Sequence, residues 1–405
     1  MGGAVPAAGG PEGALAGIRV IDFTHMLAGP FATWVLGAFG ADIVKVEHPD
    51  GDFTRAIEPR VGGTSIYFAS VNRNKRSIAL DLKSPAAREV AGRLAAGADI
   101  LVENNRPGVM ERLGLGYEAL SARNPRLVYA SISGFGQTGP LRDRPAFDMV
   151  IQAMSGMMSI TGAEGGPPVR VGASLGDLGA SLFAVAGILA ALQERHRTGR
   201  GSWVDVAMLD SQLAILENAV ARWFNTGVRP GPLGSRHPMV APFQAFTTAD
   251  EPIVVCVDTA AQWRRLCDAI GRPELIDDPR FAEGSARLGN HAALERELQA
   301  AFAARDRAAW LEILAAADVP SGPVNAVDEA MAMPQIAARG MISDLGGQGS
   351  GRFAAMPVRR ADGADGDGGP AERRAPGLAE HAHEILAEVG YTEADIVRLR
   401  QAGAV

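Results

Sequence analysis

The 405-residue sequence contains only two cysteines, Cys256 and Cys267. They form neither a metal-binding motif nor a disulfide framework, which is typical of a protein in a reducing compartment. Both cysteines lie among apolar residues, so we interpret them as buried structural thiols. We therefore expect a cytoplasmic protein that has no metal site.

Positive charge is in deficit as well. The chain has 39 lysines and arginines against 46 aspartates and glutamates, which leaves a net charge of −7. This balance argues against broad nucleic-acid binding, and we expect no nucleic-acid partner. A hydrophobic fraction of 47% and a length of 405 residues instead indicate a globular protein of two or three domains.

Membrane-spanning and targeting segments are the third absence. The clearest apolar run, residues 178–192, contains fifteen uncharged residues, about four helical turns, which is too short to cross a bilayer. Residues 1–16 are rich in glycine, alanine and proline and carry no positive charge before an apolar core, so they do not form a signal peptide. We predict a disordered lead-in at 1–16 and no membrane partner.

Short apolar strands alternate with helical patterns in the first half of the chain. We predict strands at 17–23, 42–47, 77–82, 100–103, 127–132 and 203–208, with helices at 30–39 and 85–96 among them. This alternation predicts an α/β fold with a Rossmann-like doubly wound parallel sheet. In such folds the ligand binds at the carboxyl ends of the strands.

Composition changes at 226–238, a glycine- and proline-rich stretch, and helical patterns dominate 294–317. We therefore predict a smaller α+β domain within the chain. The predicted division is a lead-in at 1–16, the first part of a large α/β domain at 17–225, a linker and small domain at 226–330, and a return linker with the last part of the large domain at 331–405.

The glycines at 134, 136 and 139 match the dinucleotide-binding pattern G-x-G-x-x-G and follow a predicted strand. That fingerprint should open directly into an apolar helix. Here residues 140–145 read Pro-Leu-Arg-Asp-Arg-Pro, which is typical of a loop. Nicotinamide binding is therefore disfavoured.

One aspartate stands between a glycine and the apolar run. Asp177 precedes the helix predicted from residue 178, so it would lie at the helix N-cap, and a purely structural cap is one interpretation of it. A covalent nucleophile is the other, because Gly176 leaves room for a substrate and a helix N-terminus stabilises an oxyanion. The residues alone leave both interpretations open.

Basic residues cluster near predicted strand ends. Solvated surface charge is one interpretation, and contact with the phosphates of a nucleotide-like ligand is the other, because arginine and lysine both suit phosphate. These residues are Arg73, Lys75, Arg76 and Lys83, then Arg106 and Arg112, then Arg142 and Arg144.

An ordered set of segments resembles the family III CoA-transferases, the CaiB/BaiF group that includes formyl-CoA transferase. The resemblance extends from residue 15 to residue 405. The segments that carry it are 29–31 (Gly-Pro-Phe), 40–47, 74–82 (Asn-Lys-Arg-Ser-Ile-Ala-Leu-Asp-Leu), 103–108 (Glu-Asn-Asn-Arg-Pro-Gly), 133–136 (Ser-Gly-Phe-Gly), 175–177 (Leu-Gly-Asp), 377–381 and 386–391.

The resemblance implies an interlocked homodimer that uses coenzyme A and acyl-CoA as substrates and holds no tightly bound cofactor. It also implies that Asp177 is a nucleophile that forms mixed anhydrides and an aspartyl-CoA thioester while CoA passes from an acyl-CoA to a carboxylic acid. A carboxylate suits this chemistry because it can store CoA as an acyl thioester. The CoA-binding residues implied are Leu27, Ala28, His48, Lys75, Leu80, Lys83, Asn104, Asn105, Arg106, Arg112, Arg144, Phe147 and Asp148.

Some positions depart from formyl-CoA transferase. His48 stands where that enzyme has arginine, and Asn105 replaces a common aromatic residue. The chain also lacks that enzyme's run of glycines, so formate or oxalate specificity is poorly supported. Arg236 and His237, which lie in the corresponding loop, could instead bind the second carboxylate of a dicarboxylic acid. Succinyl-CoA is therefore a candidate donor.

Two other functions compete with CoA transfer. The related α-methylacyl-CoA racemases use a histidine within a Gly-His-Asp segment, but here the segment is Ala146-Phe147-Asp148, and phenylalanine cannot exchange a proton. A non-catalytic CoA-binding protein is the other alternative. Both remain alternatives to an acyl-CoA:carboxylate CoA-transferase.

Overall fold

The computed structural model describes residues 13–348, 351–359 and 372–405. Most of the predicted lead-in therefore lies outside the described residues. Contacts divide the chain into two compact units: the larger holds the described residues within 1–157, 170–227 and 335–405, and the smaller holds 158–169 and 228–334. Residues 158–169, which the sequence-based division assigned to the large domain, belong to the smaller unit.

The helices and strands are numbered along the chain. The strands are β1 (Arg19–Phe23), β2 (Asp42–Glu47), β3 (Arg60–Val61), β4 (Thr64–Ser65), β5 (Lys75–Ala79), β6 (Ile100–Glu103), β7 (Val128–Ser133), β8 (Trp203–Ala207), β9 (Phe243–Phe246), β10 (Ile253–Cys256), β11 (Ser321–Pro323), β12 (Ile342–Asp344) and β13 (Arg352–Ala354). The helices are α1 (Ala28–Ala38), α2 (Ile66–Asn72), α3 (Pro85–Ala96), α4 (Val109–Arg112), α5 (Tyr117–Ser121), α6 (Asp148–Met154), α7 (Met157–Ile160), α8 (Leu175–Thr198), α9 (Met208–Ile215), α10 (Glu217–Thr226), α11 (Ala260–Ala269), α12 (Gly284–Gly289), α13 (His291–Phe302), α14 (Arg307–Ala316), α15 (Val327–Ala332), α16 (Pro334–Ala338), α17 (Ala382–Glu388) and α18 (Glu393–Gln401).

A parallel sheet in the order β5-β2-β1-β6-β7-β8 forms the centre of the larger unit. Counted along the chain, these six strands follow the order 3-2-1-4-5-6 of doubly wound folds, so the predicted α/β fold is confirmed. The direction of winding reverses between β1 and β6, and a ligand site is expected at their carboxyl ends.

Helices cover both faces of this sheet because alternate strand residues point to opposite sides. On one face, residues such as Ile21 and Leu101 pack with α3, α17 and α18. On the other, residues such as Val20 and Val102 pack with α1 and α8. Helices α17 and α18 thus pack on the sheet of the larger unit, and Arg76 on β5 pairs with Glu384 and Glu388 on α17.

Helix α8 is longer than its uncharged run indicates, with 24 residues from Leu175 to Thr198. By length and composition alone it could cross a membrane, contrary to the estimate of about four turns. Half of its most apolar window is buried, and the helix contacts α1, α9 and the sheet. It therefore packs as a core helix of the larger unit.

The smaller unit has its own core. Strands β9, β10 and β11 form an antiparallel sheet in the order β11-β10-β9. Helices α11, α13 and α14 contribute large apolar side chains to this core, among them Trp263, Phe302 and Trp310. This arrangement is α+β.

Candidate active site

A groove of about 360 Å³ lies at the carboxyl edge of the parallel sheet. Its walls come from the ends of four neighbouring strands and from the loops that follow them, where doubly wound folds bind ligands. The lining residues are Phe23 to His25 at the end of β1, Lys45 to His48 and Gly51 to Phe53 at the end of β2 and after it, Leu80 to Lys83 after β5, and Asn105, Met110 and Leu113 after β6.

Four of the residues predicted to bind CoA line this groove, namely His48, Leu80, Lys83 and Asn105. Lys83 is exposed and forms no ion pair with any residue that the structure describes. The His48 ring accepts a hydrogen bond from the Asp50 backbone at 3.2 Å, so its Nδ1 is engaged and its Nε2 remains for a ligand. The groove thus combines apolar lining with an available cation.

Two further predicted cations lie beside the groove. Arg106 follows Asn105 directly, and Arg112 lies on α4 between Met110 and Leu113, which both line the groove. Both arginines are exposed, and neither pairs with a carboxylate in the described ranges. Unpaired guanidinium groups at this edge suit the phosphates of CoA.

Asn104 does not point freely into the groove. Its side-chain carbonyl accepts a hydrogen bond from His25 N at 2.9 Å, and its amide nitrogen donates to His25 O at 2.8 Å. The side chain therefore holds the backbone of the neighbouring loop. The predicted contact between Asn104 and CoA stays a prediction.

The Lys75 ammonium group is not placed to contact a phosphate, which corrects the expectation that Lys75 binds CoA. Its ammonium group is fully buried and donates to Asp22, Asn72 and the carbonyl of Pro30 at 2.9–3.0 Å. All three N–H bonds are therefore used inside the protein. Burial lowers the pKa of Lys75 to about 8, although the negative charge of Asp22 opposes this effect.

A second buried ion pair, Lys45 with Asp52, lies in the wall of the groove. Lys45 Nζ lies 3.0 Å from Asp52 and donates to the carbonyl of Thr24 at 2.8 Å, and both charged side chains are inaccessible to solvent. Burial alone would raise the pKa of Asp22, but Lys75, Lys45 and a hydrogen bond from Thr24 hold it well below its ordinary value. Sequence reasoning missed this cluster, although a lysine and an aspartate inside apolar strands were a signal for it.

Asp177 lies in the first turn of α8, but it is not the N-cap. Ser174 occupies the cap position, and Asp177 is the third helical residue. Gly176 also differs from expectation, because a Cβ there would approach Asp148 Oδ1 at 3.0 Å and the side chain of Ile151 at 3.4 Å. The glycine allows close packing against α6, because a side chain at position 176 would point toward that helix.

The Asp177 carboxylate is half-buried and accepts no hydrogen bond from any residue the structure describes. Burial and, to a lesser degree, the negative charge of Asp148 raise the pKa of Asp177 to about 7. Tyr67 was not predicted as a site residue. Burial and, to a lesser degree, the negative charge of Asp177 raise the pKa of the Tyr67 phenol, so the two side chains lie near each other. Asp177 is therefore a carboxylate that has a raised pKa and accepts no hydrogen bond within the described residues.

Asp148 supports the first turn of α8. Its buried carboxylate accepts hydrogen bonds from Gly176 N at 2.8 Å and from the Gln152 amide at 2.9 Å, with Arg170 at 3.4 Å. These contacts hold the first turn of α8, and a contact between Asp148 and CoA stays a prediction. Its predicted neighbours Arg144 and Phe147 are exposed, Phe147 by 66%.

The remaining predicted CoA residues lie at the start of α1. Leu27 precedes the helix, and Ala28 is its first residue. The carbonyl oxygen of Ala28 lies 2.6 Å from the hydroxyl of Ser181, which is on α8 one turn after Asp177. This contact joins the start of α1 to the helix that carries Asp177.

Arg236 and His237 lie in the smaller unit. Arg236 forms a short ion pair with Glu164 and contacts His291 Nδ1 at 3.2 Å. The His237 ring accepts a hydrogen bond from Met239 N and packs against Phe243. Both side chains therefore have protein partners in this conformation.

Within the described ranges, no group of three or more histidine, cysteine, aspartate or glutamate residues could hold a metal ion. Cys267 is fully buried, and burial raises the pKa of its thiol to about 12. Cys256 is only partly buried, unlike the expectation from sequence. Both thiols are free.

Comparison with known proteins supports the assignment that this geometry indicates. Residues 15–382 match the family described as CoA-transferase family III. The chain is 48% identical over 339 residues to an acetyl-CoA:oxalate CoA-transferase from Acetobacter aceti, which covers 83% of this chain and 87% of that protein. It is 38% identical over 404 residues to a succinyl-CoA:glutarate CoA-transferase from Mus musculus, with 96% and 90% covered.

A crystal structure of a CaiB/BaiF family protein from Brucella suis shares the fold. It superposes with a TM-score of 0.83 at 37% sequence identity and covers 93% of this chain and all of that chain. The chain therefore belongs to the family III CoA-transferases, the CaiB/BaiF group. It is an enzyme of acyl-CoA transfer, and its substrates are CoA thioesters.

Proposed function

We propose that the enzyme transfers CoA from an acyl-CoA to a carboxylic acid through a covalent aspartyl-CoA thioester on Asp177. The observation that carries the proposal is the state of this carboxylate, which is half-buried, receives no hydrogen bond within the described ranges and has a pKa raised to about 7. A carboxylate with a raised pKa is a stronger nucleophile once ionised, and its position in the first turn of α8 favours negative charge nearby.

The proposed reaction has four balanced steps. The ionised Asp177 attacks the thioester carbonyl, and the C–S bond breaks to give a mixed anhydride and CoA thiolate. The thiolate attacks the aspartyl carbonyl of the anhydride, releasing the donor acid and leaving aspartyl-CoA thioester. The acceptor carboxylate attacks this thioester to form a second anhydride and thiolate. The thiolate then attacks the acceptor carbonyl, and Asp177 is regenerated as carboxylate.

The groove at the carboxyl edge is the proposed CoA site. Lys83, Arg106 and Arg112 would neutralise phosphate charge, because these exposed cations have no protein carboxylate to satisfy them within the described residues. Arg144 would add a fourth contact. His48 and Asn105 would contact the nucleotide along the groove wall.

We propose short dicarboxylic acids as substrates, with succinyl-CoA as a donor to test first. The names of the two relatives above include the dicarboxylic acids oxalate and glutarate. Arg236 and His237 are candidates for binding the second carboxylate. Arg236 would then release its ion pair with Glu164 and bind the substrate carboxylate instead.

A homodimer is part of the proposal. Large apolar side chains are exposed on neighbouring helices of the larger unit, and α10 buries none of its residues. A contiguous exposed apolar surface is typical of a protein interface. The side chains are Leu182 and Phe183 on α8, Leu213 on α9, and Trp223 and Phe224 on α10. The interlocked arrangement and the cytoplasmic location remain predictions.

Substitution of Asp177 by asparagine tests the mechanism. We expect Asp177→Asn to bind CoA and to lose transfer activity with a panel of acyl-CoA donors and free acids, assayed by mass spectrometry of new thioesters. Asp210→Asn is the matched control, because Asp210 also occupies the third position of a helix, α9, but is exposed. It should retain activity.

Turnover by Asp177→Asn at the rate of Asp210→Asn would contradict the proposal. The same reactions in deuterated water test the competing racemase activity. Because Phe147 cannot exchange a proton, we expect no deuterium at the α-carbon of the acyl group.

A further inference from the structure

The loop between β1 and α1 forms one wall of the proposed CoA groove. Thr24 and His25 line the groove directly. Met26, the next residue, has φ of 65°, in the left-handed region that non-glycine residues seldom occupy. Such a conformation persists only when the surroundings determine it strongly.

Buried groups hold this loop from beneath. Asp22 accepts hydrogen bonds from the backbone N–H and hydroxyl of Thr24 at 2.8 and 2.5 Å, and Lys45 donates to the Thr24 carbonyl at 2.8 Å. The polar groups of Thr24 are therefore all satisfied from inside the protein. Gly29 allows the loop to close, because a Cβ there would lie 2.3 Å from the Thr24 side chain.

Asn104 holds the next residue through hydrogen bonds to both backbone groups of His25. The loop wall is therefore fixed between a buried charge cluster and a side-chain amide. Its geometry is set before any ligand binds, which is the condition for precise placement of a reacting group.

The loop ends at Ala28, where it meets the helix that carries Asp177. Ser181 Oγ lies 2.6 Å from Ala28 O and 2.7 Å from Asp177 O, so its single proton is shared between the two carbonyls. Ser181 is completely buried. Its hydroxyl is a direct polar link between the rigid wall of the groove and the first turn of α8.

We propose that Ser181 is a positioning residue for CoA transfer, because its hydroxyl fixes the turn carrying Asp177 to the end of the loop that lines the CoA groove. The inference rests on the proposed function, since it assigns Ser181 a role in placing that nucleophile. The proposed role involves no contact between Ser181 and the substrate. It acts through the backbone of Asp177.

The test is Ser181→Ala, measured in single turnovers of enzyme with succinyl-CoA in the absence of an acceptor acid. We expect the rate of aspartyl-CoA formation to fall about tenfold, the effect of one lost buried hydrogen bond on the transition state. The dissociation constant for free CoA should change less than about twofold, because the groove wall keeps its other supports.

Ser211→Ala is the matched control. Ser211 is also a buried helical serine that donates to the carbonyl four residues earlier, at 2.8 Å, but that hydroxyl makes no link to another helix within the described residues. It should lose a similar amount of thermal stability and keep the wild-type rate of adduct formation.

The outcomes separate the two proposals. If wild-type enzyme forms the adduct and Ser181→Ala forms it at the same rate, or if Ser211→Ala slows it equally, the positioning role is overturned. If wild-type enzyme forms no adduct at all, the nucleophile assignment fails, and this inference fails with it.

Discussion

Replacing Asp177 by asparagine should stabilise the folded enzyme at alkaline pH while it abolishes transfer. The carboxyl has a pKa of about 7 in the folded protein against an ordinary value of 3.8, because burial and the charge of Asp148 disfavour ionisation. Asparagine has nearly the same shape and never ionises. The variant therefore removes the free-energy cost of holding an ionised carboxylate in a half-buried position.

The size of the effect follows from the pKa. A change from 3.8 to about 7 corresponds to about 4 kcal/mol, at about 1.36 kcal/mol per unit. Solvent reaches part of the carboxylate and screens it, so we expect about half of this value, about 2 kcal/mol. For a chain of 405 residues, that corresponds to a melting temperature about 2 °C higher, since the unfolding entropy is about 2.1 cal/mol/K per residue.

The difference in stability between Asp177→Asn and wild type depends on pH. Below pH 4 the carboxyl is protonated in both the folded and the unfolded chain, so wild type and Asp177→Asn should melt together. Between pH 4 and pH 7 the unfolded chain ionises while the folded protein retains the proton, and the wild type loses stability. Above about pH 7 the full difference should be present.

Thermal unfolding followed by circular dichroism at pH 5, 7 and 8.5 measures this difference. Asp210→Asn is again the control, and its melting temperature should track that of wild type at every pH, because Asp210 is exposed. Equal melting temperatures of Asp177→Asn and wild type at pH 8.5, or a lower one for the variant, would refute the reasoning.

Two further predictions follow from the same charges. The rate of aspartyl-CoA formation in the wild type should rise with pH with a midpoint of about 7, because only ionised Asp177 attacks, and a flat profile between pH 5.5 and 8.5 would contradict this. Lys75→Met should destabilise the protein by about 3 kcal/mol or more, since it removes the cation that pairs with the buried Asp22. Lys83→Ala should instead leave stability unchanged and raise the KM for acyl-CoA about fivefold. Thermal unfolding and steady-state kinetics of both variants would show the reverse pattern if the two lysines exchanged roles.

Local pattern predicted the parallel sheet well. Buried strands of a doubly wound fold are short apolar runs between helices. Such runs can be predicted from local sequence without knowing which strands they pair with. Helix α3 matches its predicted bounds, 85–96, for a similar reason, since Pro85 is a clear start signal.

The start of α8 was misplaced because its first turn carries weak local signals. Ser174 is the N-cap but makes no capping hydrogen bond, and glycine at 176 disfavours a helix. Packing against α6 compensates, since Gly176 N donates to Asp148. That contact joins residues 28 positions apart, which a local pattern cannot show.

The roles of the charged residues were the least predictable part of the site. Lys75 and Lys83 look alike in sequence, but Lys75 is buried against Asp22, 53 residues away, while Lys83 is exposed at the groove. Asn104 and Asp148 were expected to bind CoA, and here they support the loops that form the site. Only tertiary pairing separates residues that can contact a ligand from those that hold the loops.

The most direct test of the account is to locate the covalent intermediate. Enzyme mixed with succinyl-CoA in the absence of acceptor acid should gain the mass of one CoA less one water, and hydroxylamine should convert the adduct to a hydroxamate that peptide mapping places on Asp177. A hydroxamate on any other residue, or an unmodified protein that nevertheless catalyses transfer, would contradict the central claim.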